Sequence, residues 1–109
     1  MPVDAELQAR IREYLGGADG IAETRMTGGA GFTLHGNLLC GVMGDELLVR
    51  IGKADFDRAR SEGTAHPMTM AGRSSRSWLL VPKDAVAEPA DLARWIDRAK
   101  AIVATLPVK

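Results

Sequence analysis

Between residues 28 and 51, recurrent glycines divide the chain into apolar runs that are too short to form helices. Gly36-Asn37 and Gly44-Asp45 separate these runs, and glycine-containing pairs of this kind favour the two-residue turns of β-hairpins. We therefore predict a meander of three antiparallel strands, which comprise residues 31–35, 38–43 and 46–51. An extension of the first strand back into residues 21–26 is left open.

Helical patterns lie on both sides of this segment. Apolar residues recur at helical spacing over residues 5–15, where Asp4 can cap the first turn and Gly16 can end the last. A second, shorter helix is predicted over residues 54–62, with Phe56 facing inward. Helices with an apolar stripe of this kind can cover one face of the predicted strands.

Two further strands are predicted in the C-terminal half of the chain. They comprise residues 68–70 and 77–81, and a polar loop over residues 71–76 separates them. Pro82 ends the second strand, because proline lacks the N–H group that the ladder of a sheet requires.

The most regular helical pattern lies at the end of the chain. It begins with Pro89 in its first turn, has Trp95 as its main packing anchor, and stops at Pro107. Its apolar residues are Leu92, Trp95, Ile96, Ala99, Ile102, Val103 and Leu106. The predicted order is α-β-β-β-α-β-β-α, which is typical of an α+β two-layer domain with a mainly antiparallel, five-stranded sheet.

Length and composition narrow the classes of protein to which the chain can belong. Its 109 residues suit a single domain, 1–109, and are too few for two ordinary ones. The 14 basic and 14 acidic side chains cancel, whereas non-specific nucleic-acid binding depends on a basic excess. A single cysteine, no signal-peptide pattern and no apolar run of membrane-spanning length predict a cytoplasmic protein without membrane contact.

Apolar residues occur on both faces of the predicted strands, as in Leu38-Leu39 and Leu47-Leu48-Val49. A sheet with one wet face would instead alternate apolar and polar residues. Helices can cover one face and a second copy of the chain can cover the other, so we predict a homodimer. The alternative is that a helix or loop of the same chain covers the second face.

Residues with catalytic or metal-binding potential are few, and we favour a structural interpretation of each. Cys40 stands between apolar neighbours in a predicted strand, which is typical of a small buried side chain rather than of a nucleophile. His35 and His66 share no metal-ligand spacing with it, and neither has an acid beside it in sequence to orient it. We predict no catalytic residue, no metal and no cofactor.

Two segments are candidates for binding a partner. Gly28-Gly29 could approach a phosphate, but neither Lys-Ser/Thr nor a helix follows, so a bulge or turn at a strand entry is favoured. Arg73 and Arg76 precede Trp78, and arginine near an aromatic ring can hold a phosphate, a nucleic acid or an acidic peptide. For these we favour a polar hairpin loop with Trp78 facing the core. The candidate interaction surface comprises Arg25, Gly28, Gly29, Arg73, Arg76 and Trp78.

A series of short motifs resembles a known bacterial family. The series is Arg25-Met26-Thr27-Gly28-Gly29-Ala30-Gly31-Phe32, Gly36-Asn37-Leu38-Leu39-Cys40-Gly41-Val42, Gly72-Arg73, Trp78, and a terminal helix with Leu92, Trp95 and Pro107. In order and spacing, these motifs resemble the N-terminal domain of the TfoX/Sxy family, which is named for regulators of natural competence. The chain departs from the family pattern at Thr27, where an aromatic residue is usual.

The resemblance implies the same α-β-β-β-α-β-β-α order and a bacterial cytosolic protein. It also implies a stand-alone copy, since full-length competence regulators carry a further C-terminal domain. Our leading hypothesis is a non-enzymatic, homodimeric protein-interaction module with a regulatory protein partner. The first alternative is a small-molecule-binding sensor, in which methionines such as Met43 line an adaptable pocket. A DNA-binding transcriptional regulator is less favoured, because the charge is balanced.

Overall fold

The computed structural model describes residues 4–26, 29–62, 65–70 and 72–107. The helices are α1 (Ala5–Leu15), α2 (Lys53–Ser61) and α3 (Pro89–Val103), and a 3-10 helix, Lys83–Val86, precedes α3. The strands are β1 (Ile21–Met26), β2 (Gly29–Leu34), β3 (Asn37–Met43), β4 (Glu46–Arg50), β5 (His66–Met70) and β6 (Arg73–Pro82). They form one antiparallel sheet in the order β1-β2-β3-β4-β6-β5, which confirms the predicted α+β class.

The sheet has six strands within the described ranges, so the prediction of five is wrong by one. The additional strand is β1, the segment that the sequence patterns left open, and it pairs with β2 along its whole length. β1 forms an edge of the sheet and carries the charged residues Glu23 and Arg25. Charged side chains protect an edge strand from further pairing, but they also dilute the apolar pattern by which a strand is recognised.

The first two helices confirm the sequence predictions. At the start of α1, Asp4 Oδ1 accepts a hydrogen bond from the Leu7 N–H at 2.9 Å, and the helix ends at Gly16. α2 lies one residue earlier than predicted, and its buried residues are Phe56 and Ala59. The apolar stripes of both helices therefore identified the sides that face the core.

The turn between β2 and β3 lies one residue earlier than predicted. Its residues are His35 and Gly36, whose φ angles of 50° and 85° are the left-handed values of a type I′ turn. Asn37 therefore belongs to β3, where it is buried and its Nδ2 donates to the Pro107 carbonyl oxygen at 2.8 Å. The second predicted turn, after β3, is confirmed, with Gly44 at a φ of 63°.

Three boundaries in the C-terminal half differ from prediction. β5 begins at His66, two residues before the predicted start at position 68. β6 begins at Arg73, so the predicted loop over residues 71–76 is wrong for its last four positions. Met70 pairs with Arg73, and the serines that follow in the sequence give no apolar alternation to mark the strand. The first position of the predicted loop, residue 71, lies outside the described residues. α3 ends at Val103, where i→i+3 backbone hydrogen bonds replace the helical pattern before the predicted stop.

All three helices pack on one face of the sheet. Strand pairing places Phe32, Cys40, Val49 and Leu79 in a row across that face, each opposite the next. To the same buried cluster the helices contribute Leu7, Ile11, Leu15, Phe56, Ala59, Leu92, Trp95, Ile96, Ala99 and Val103. Trp95 is fully buried and is the largest side chain of this core, as predicted. The fold is therefore two-layered, with its helices on one side.

Candidate ligand-binding site

The face of the sheet opposite the helices also carries apolar side chains. Because side chains alternate along a strand, Met43, Leu48, Trp78 and Leu80 lie on this helix-free face. Leu48 is only 1 % exposed, so the chain itself covers part of the face. Met43, Trp78 and Leu80 remain partly exposed. The strands are thus apolar on both sides, as the sequence predicted, and the second side is incompletely covered.

At one end of this face, β4 and β6 bring an arginine beside a tryptophan. Arg50 and Trp78 lie directly opposite each other in the strand register. The guanidinium carbon of Arg50 is 4.7 Å from the centre of the Trp78 ring, which is the geometry of a cation–π contact. The interpretation that Trp78 faces the core is therefore wrong, because its place in the register turns it to the helix-free side.

A cleft of about 300 Å³ lies beside this pair. Its walls include Arg50, Gly52, Ser77, Trp78, Ile102 and Leu106. The Ile51 N–H donates to the Ser77 carbonyl oxygen at 2.7 Å, which extends the contact of β4 and β6 past the end of the strand. A Cβ on Gly52 would lie 2.8 Å from Ile102 Cδ1, so glycine at this position lets the end of α3 approach closely. The cleft thus forms where the sheet end meets α3.

The Arg50 guanidinium carries a charge that no described carboxylate balances. All 14 acidic side chains of the chain lie within the described segments. None of the ion pairs between described residues involves Arg50. Burial lowers the pKa of Arg50, and no acidic neighbour opposes that effect. Arg94 differs: it also stands over a tryptophan ring, but it pairs with Glu62 at 3.0 Å. The cleft is therefore apolar in its walls and positive at one point.

The described residues of the predicted interaction surface lie on different strands, with Arg25 on β1 and Trp78 on β6. Arg25 is exposed on β1, at the edge of the sheet farthest from β5 and β6. Gly28 lies outside the described residues. A Cβ on Gly29 would be 1.8 Å from the Val42 carbonyl oxygen, so close backbone approach explains this glycine without a phosphate.

Of the remaining predicted residues, Trp78 lines the cleft, whereas Arg73 and Arg76 are strand residues whose side chains are outside the described set. Sequence reasoning missed Arg50 and the α3 contribution of Ile102. The local sequence signal for Arg50 was its position as a charged residue at the end of the apolar strand β4. Its partner Trp78 is far away in sequence, so no spacing pattern could join the two.

The other chemically reactive side chains do not meet in one place. Cys40 is fully buried on the helix-covered face, and burial raises the pKa of its thiol to about 12. Such a thiol stays protonated near neutral pH, which confirms the prediction of a small buried side chain. His66 Nε2 lies 2.7 Å from Glu46 Oε2, so the fold supplies an acidic partner that the local sequence lacks. Among the described residues, no group of three His, Cys, Asp or Glu side chains is arranged to hold a metal ion.

These features define a small α+β domain with its helices on one face of an antiparallel sheet and a cleft at one end of that sheet. The chain belongs to the TfoX N-terminal domain family, because the family model of that description matches residues 13–102. No curated protein and no solved structure matched the chain. In the part of the chain that the structure describes, no helix combines the length and apolar character needed to cross a membrane.

Proposed function

We propose that this domain is a non-enzymatic protein-interaction module that acts in bacterial regulation in the cytoplasm. The observation that carries the proposal is the helix-free face of the sheet, where Met43, Trp78 and Leu80 stay partly exposed. Apolar side chains that gather on one exposed face mark sites of protein contact. Membership of the TfoX N-terminal domain family supports a regulatory setting, since the family is named for competence regulators.

The first partner that we propose is a second copy of the chain. The net charge is zero, so two copies can approach without net repulsion. A two-fold axis would bury the same apolar face of each copy against the other, as in most homodimers. A regulatory protein of different sequence is the second expected partner of this face.

Light scattering coupled to size-exclusion chromatography, run over a range of concentrations, tests the proposal. We expect a dimer that Leu80→Asp converts to a monomer, because a carboxylate buried in an apolar contact is costly. Ala90→Asp is the matched control, since it adds the same charge at an exposed position of α3. Circular dichroism would establish that both variants fold.

Capture of partners from host lysate completes this test. The proposal is contradicted if the wild-type chain is monomeric at every concentration and Leu80→Asp changes no captured protein. A monomer that captures one protein in a Leu80-dependent manner would replace the homodimer with a heterologous complex.

The cleft beside Arg50 and Trp78 favours a second candidate function, a small-molecule-binding sensor module. Ligand sites are typically concave and apolar, with a few polar groups that orient the ligand, and this cleft has that character. A DNA-binding regulator is the third candidate, and the balanced charge does not favour it. A mobility-shift assay at low salt tests DNA binding, because phosphate-driven affinity is greatest there.

A further inference from the structure

Arg50 places a partly buried positive charge in the cleft, and the described chain offers it no counter-charge. Burying a cation is costly unless the cation is paired or hydrogen-bonded. The Trp78 ring 4.7 Å away offers its π face, but it cannot accept the in-plane hydrogen bonds of a guanidinium. An anion that enters the cleft would supply the missing partner.

The guanidinium favours one kind of anion. Its planar fork of N–H donors matches the two oxygens of a carboxylate, which it can bind through two parallel hydrogen bonds. One guanidinium balances the single charge of a monocarboxylate. A ligand with several negative charges would leave some of them in a cleft whose other described walls carry no cation.

The rest of the cleft restricts the body of the ligand. Ile102 and Leu106, which are partly exposed and lie near the end of α3, supply apolar lining to the cleft, and the Trp78 ring lines it as well. The volume of about 300 Å³ is at the lower end of the range for ligand pockets. These dimensions suit a single ring or a short alkyl chain and are small for a nucleotide.

We propose that this cleft binds a small apolar carboxylate, of the aryl- or alkyl-carboxylate class. The carboxylate would bind the guanidinium of Arg50, and the apolar body would lie against Ile102 and Leu106. The proposal deepens the second candidate function and rests on it. The competing explanation is that the Arg50 guanidinium only stacks on the Trp78 ring and is hydrogen-bonded by water at its exposed edge.

An NMR titration of the ¹⁵N-labelled full chain separates these explanations. The probe is phenylacetate, and the control ligand is phenylacetamide, which has a similar shape but no charge. We expect phenylacetate to shift the Trp78 indole resonance and the amides of residues 102–106 in a saturable manner. Phenylacetamide should bind about tenfold more weakly or worse, because it lacks the charge-assisted hydrogen bonds.

Substitution of Arg50 provides the second arm of the experiment. Arg50→Gln should weaken phenylacetate binding by about tenfold while leaving phenylacetamide unaffected. Arg94→Gln is the matched control, because Arg94 also lies over a tryptophan ring but is paired with Glu62. If Arg50→Gln fails to fold, Arg50→Lys retains the charge without the planar fork and should give an intermediate loss.

Each outcome bears on a different part of the proposal. Equal binding of phenylacetate and phenylacetamide would overturn the carboxylate assignment but leave the small-molecule function in place. Inorganic phosphate that shifts the same resonances as strongly as phenylacetate would overturn the requirement for an apolar body. If none of the probes gives a saturable shift, both the carboxylate assignment and the small-molecule function of this cleft are contradicted, and the interaction proposal is unaffected.

Discussion

Trp95 combines full burial with charged neighbours. The guanidinium carbons of Arg94 and Arg98 lie 5.7 Å and 4.9 Å from the centre of its ring. Both arginines form ion pairs with Glu62, so the end of α2 is joined to α3 beside the ring. The indole Nε1–H has no hydrogen-bond acceptor among the described residues. Trp95 therefore stabilises the core through apolar and cation–π contacts rather than through a hydrogen bond.

Substitution of Trp95 tests this account. We expect Trp95→Ala to lower the free energy of unfolding by about 3–5 kcal/mol, because it leaves a large cavity in the core. Trp95→Phe should lower it clearly less, since part of the ring contact is kept and no described hydrogen bond is lost. Urea unfolding followed by circular dichroism measures both. Equal losses for the two variants would contradict this account, because the phenyl ring would then preserve none of the stabilising contacts of the indole.

At the scale of elements, glycine sets how closely β2 and β3 approach. A Cβ on Gly41 would lie 2.3 Å from the Ala30 carbonyl oxygen, a backbone atom that is held in the sheet. At Gly52, by contrast, the nearest atom to a Cβ would be the end of the Ile102 side chain, which can rotate away. The same residue type therefore has a strict role within the sheet and a more tolerant one at its end.

Two alanine substitutions measure that difference. Gly41→Ala should lower the free energy of unfolding by about 1–3 kcal/mol or more, because overpacking forces the backbone of neighbouring strands apart. Gly52→Ala should have a smaller effect, since a side-chain rotation relieves the contact. Thermal unfolding of the two variants in parallel checks the order. A larger loss for Gly52→Ala would contradict the close approach of β2 and β3.

At the scale of the whole molecule, ion pairs join segments that are distant in sequence. The pairs are Arg12–Glu23 at 2.7 Å, Lys83–Asp4 at 2.8 Å and Arg94–Glu62 at 3.0 Å. A hydrogen bond from Lys83 lowers the pKa of Asp4. Hydrogen bonds from Arg12 and from Arg98 lower the pKa values of Glu23 and of Glu62, respectively. These carboxylates therefore favour the folded state when they are ionised.

The lowered pKa values predict a loss of stability in acid. A carboxyl group whose pKa is lower in the folded than in the unfolded state stabilises the fold above its unfolded pKa, and that contribution is lost as the pH falls through the folded pKa. We expect the free energy of unfolding to decrease below about pH 4, the ordinary range for Asp and Glu. Glu62→Gln should flatten this dependence, whereas Glu13→Gln, at an exposed position of α1, should not. Urea unfolding at a series of acidic pH values measures this dependence. The prediction is contradicted if the free energy of unfolding of both variants falls with pH as steeply as that of the wild type.

Features whose signal is local were predictable from the sequence. The capping of α1 by Asp4, the Gly44 turn and the burial of Cys40 and Trp95 each depend on residues within a few positions of one another. Periodicity records which side of an element is apolar, and burial of that side is the dominant gain in folding. The α+β class follows from the same patterns, since it depends only on the kinds of element and their order.

Contacts between distant segments depended on the folded chain. Arg50 and Trp78 meet because β4 pairs with β6 across the intervening α2 and β5, and no local pattern encodes that choice of neighbour. Asn37 is buried against Pro107, and His66 finds Glu46, for the same reason. Strand order and register are settled by burial and hydrogen bonding summed over the whole sheet, so the site that they create is a property of the fold rather than of any segment.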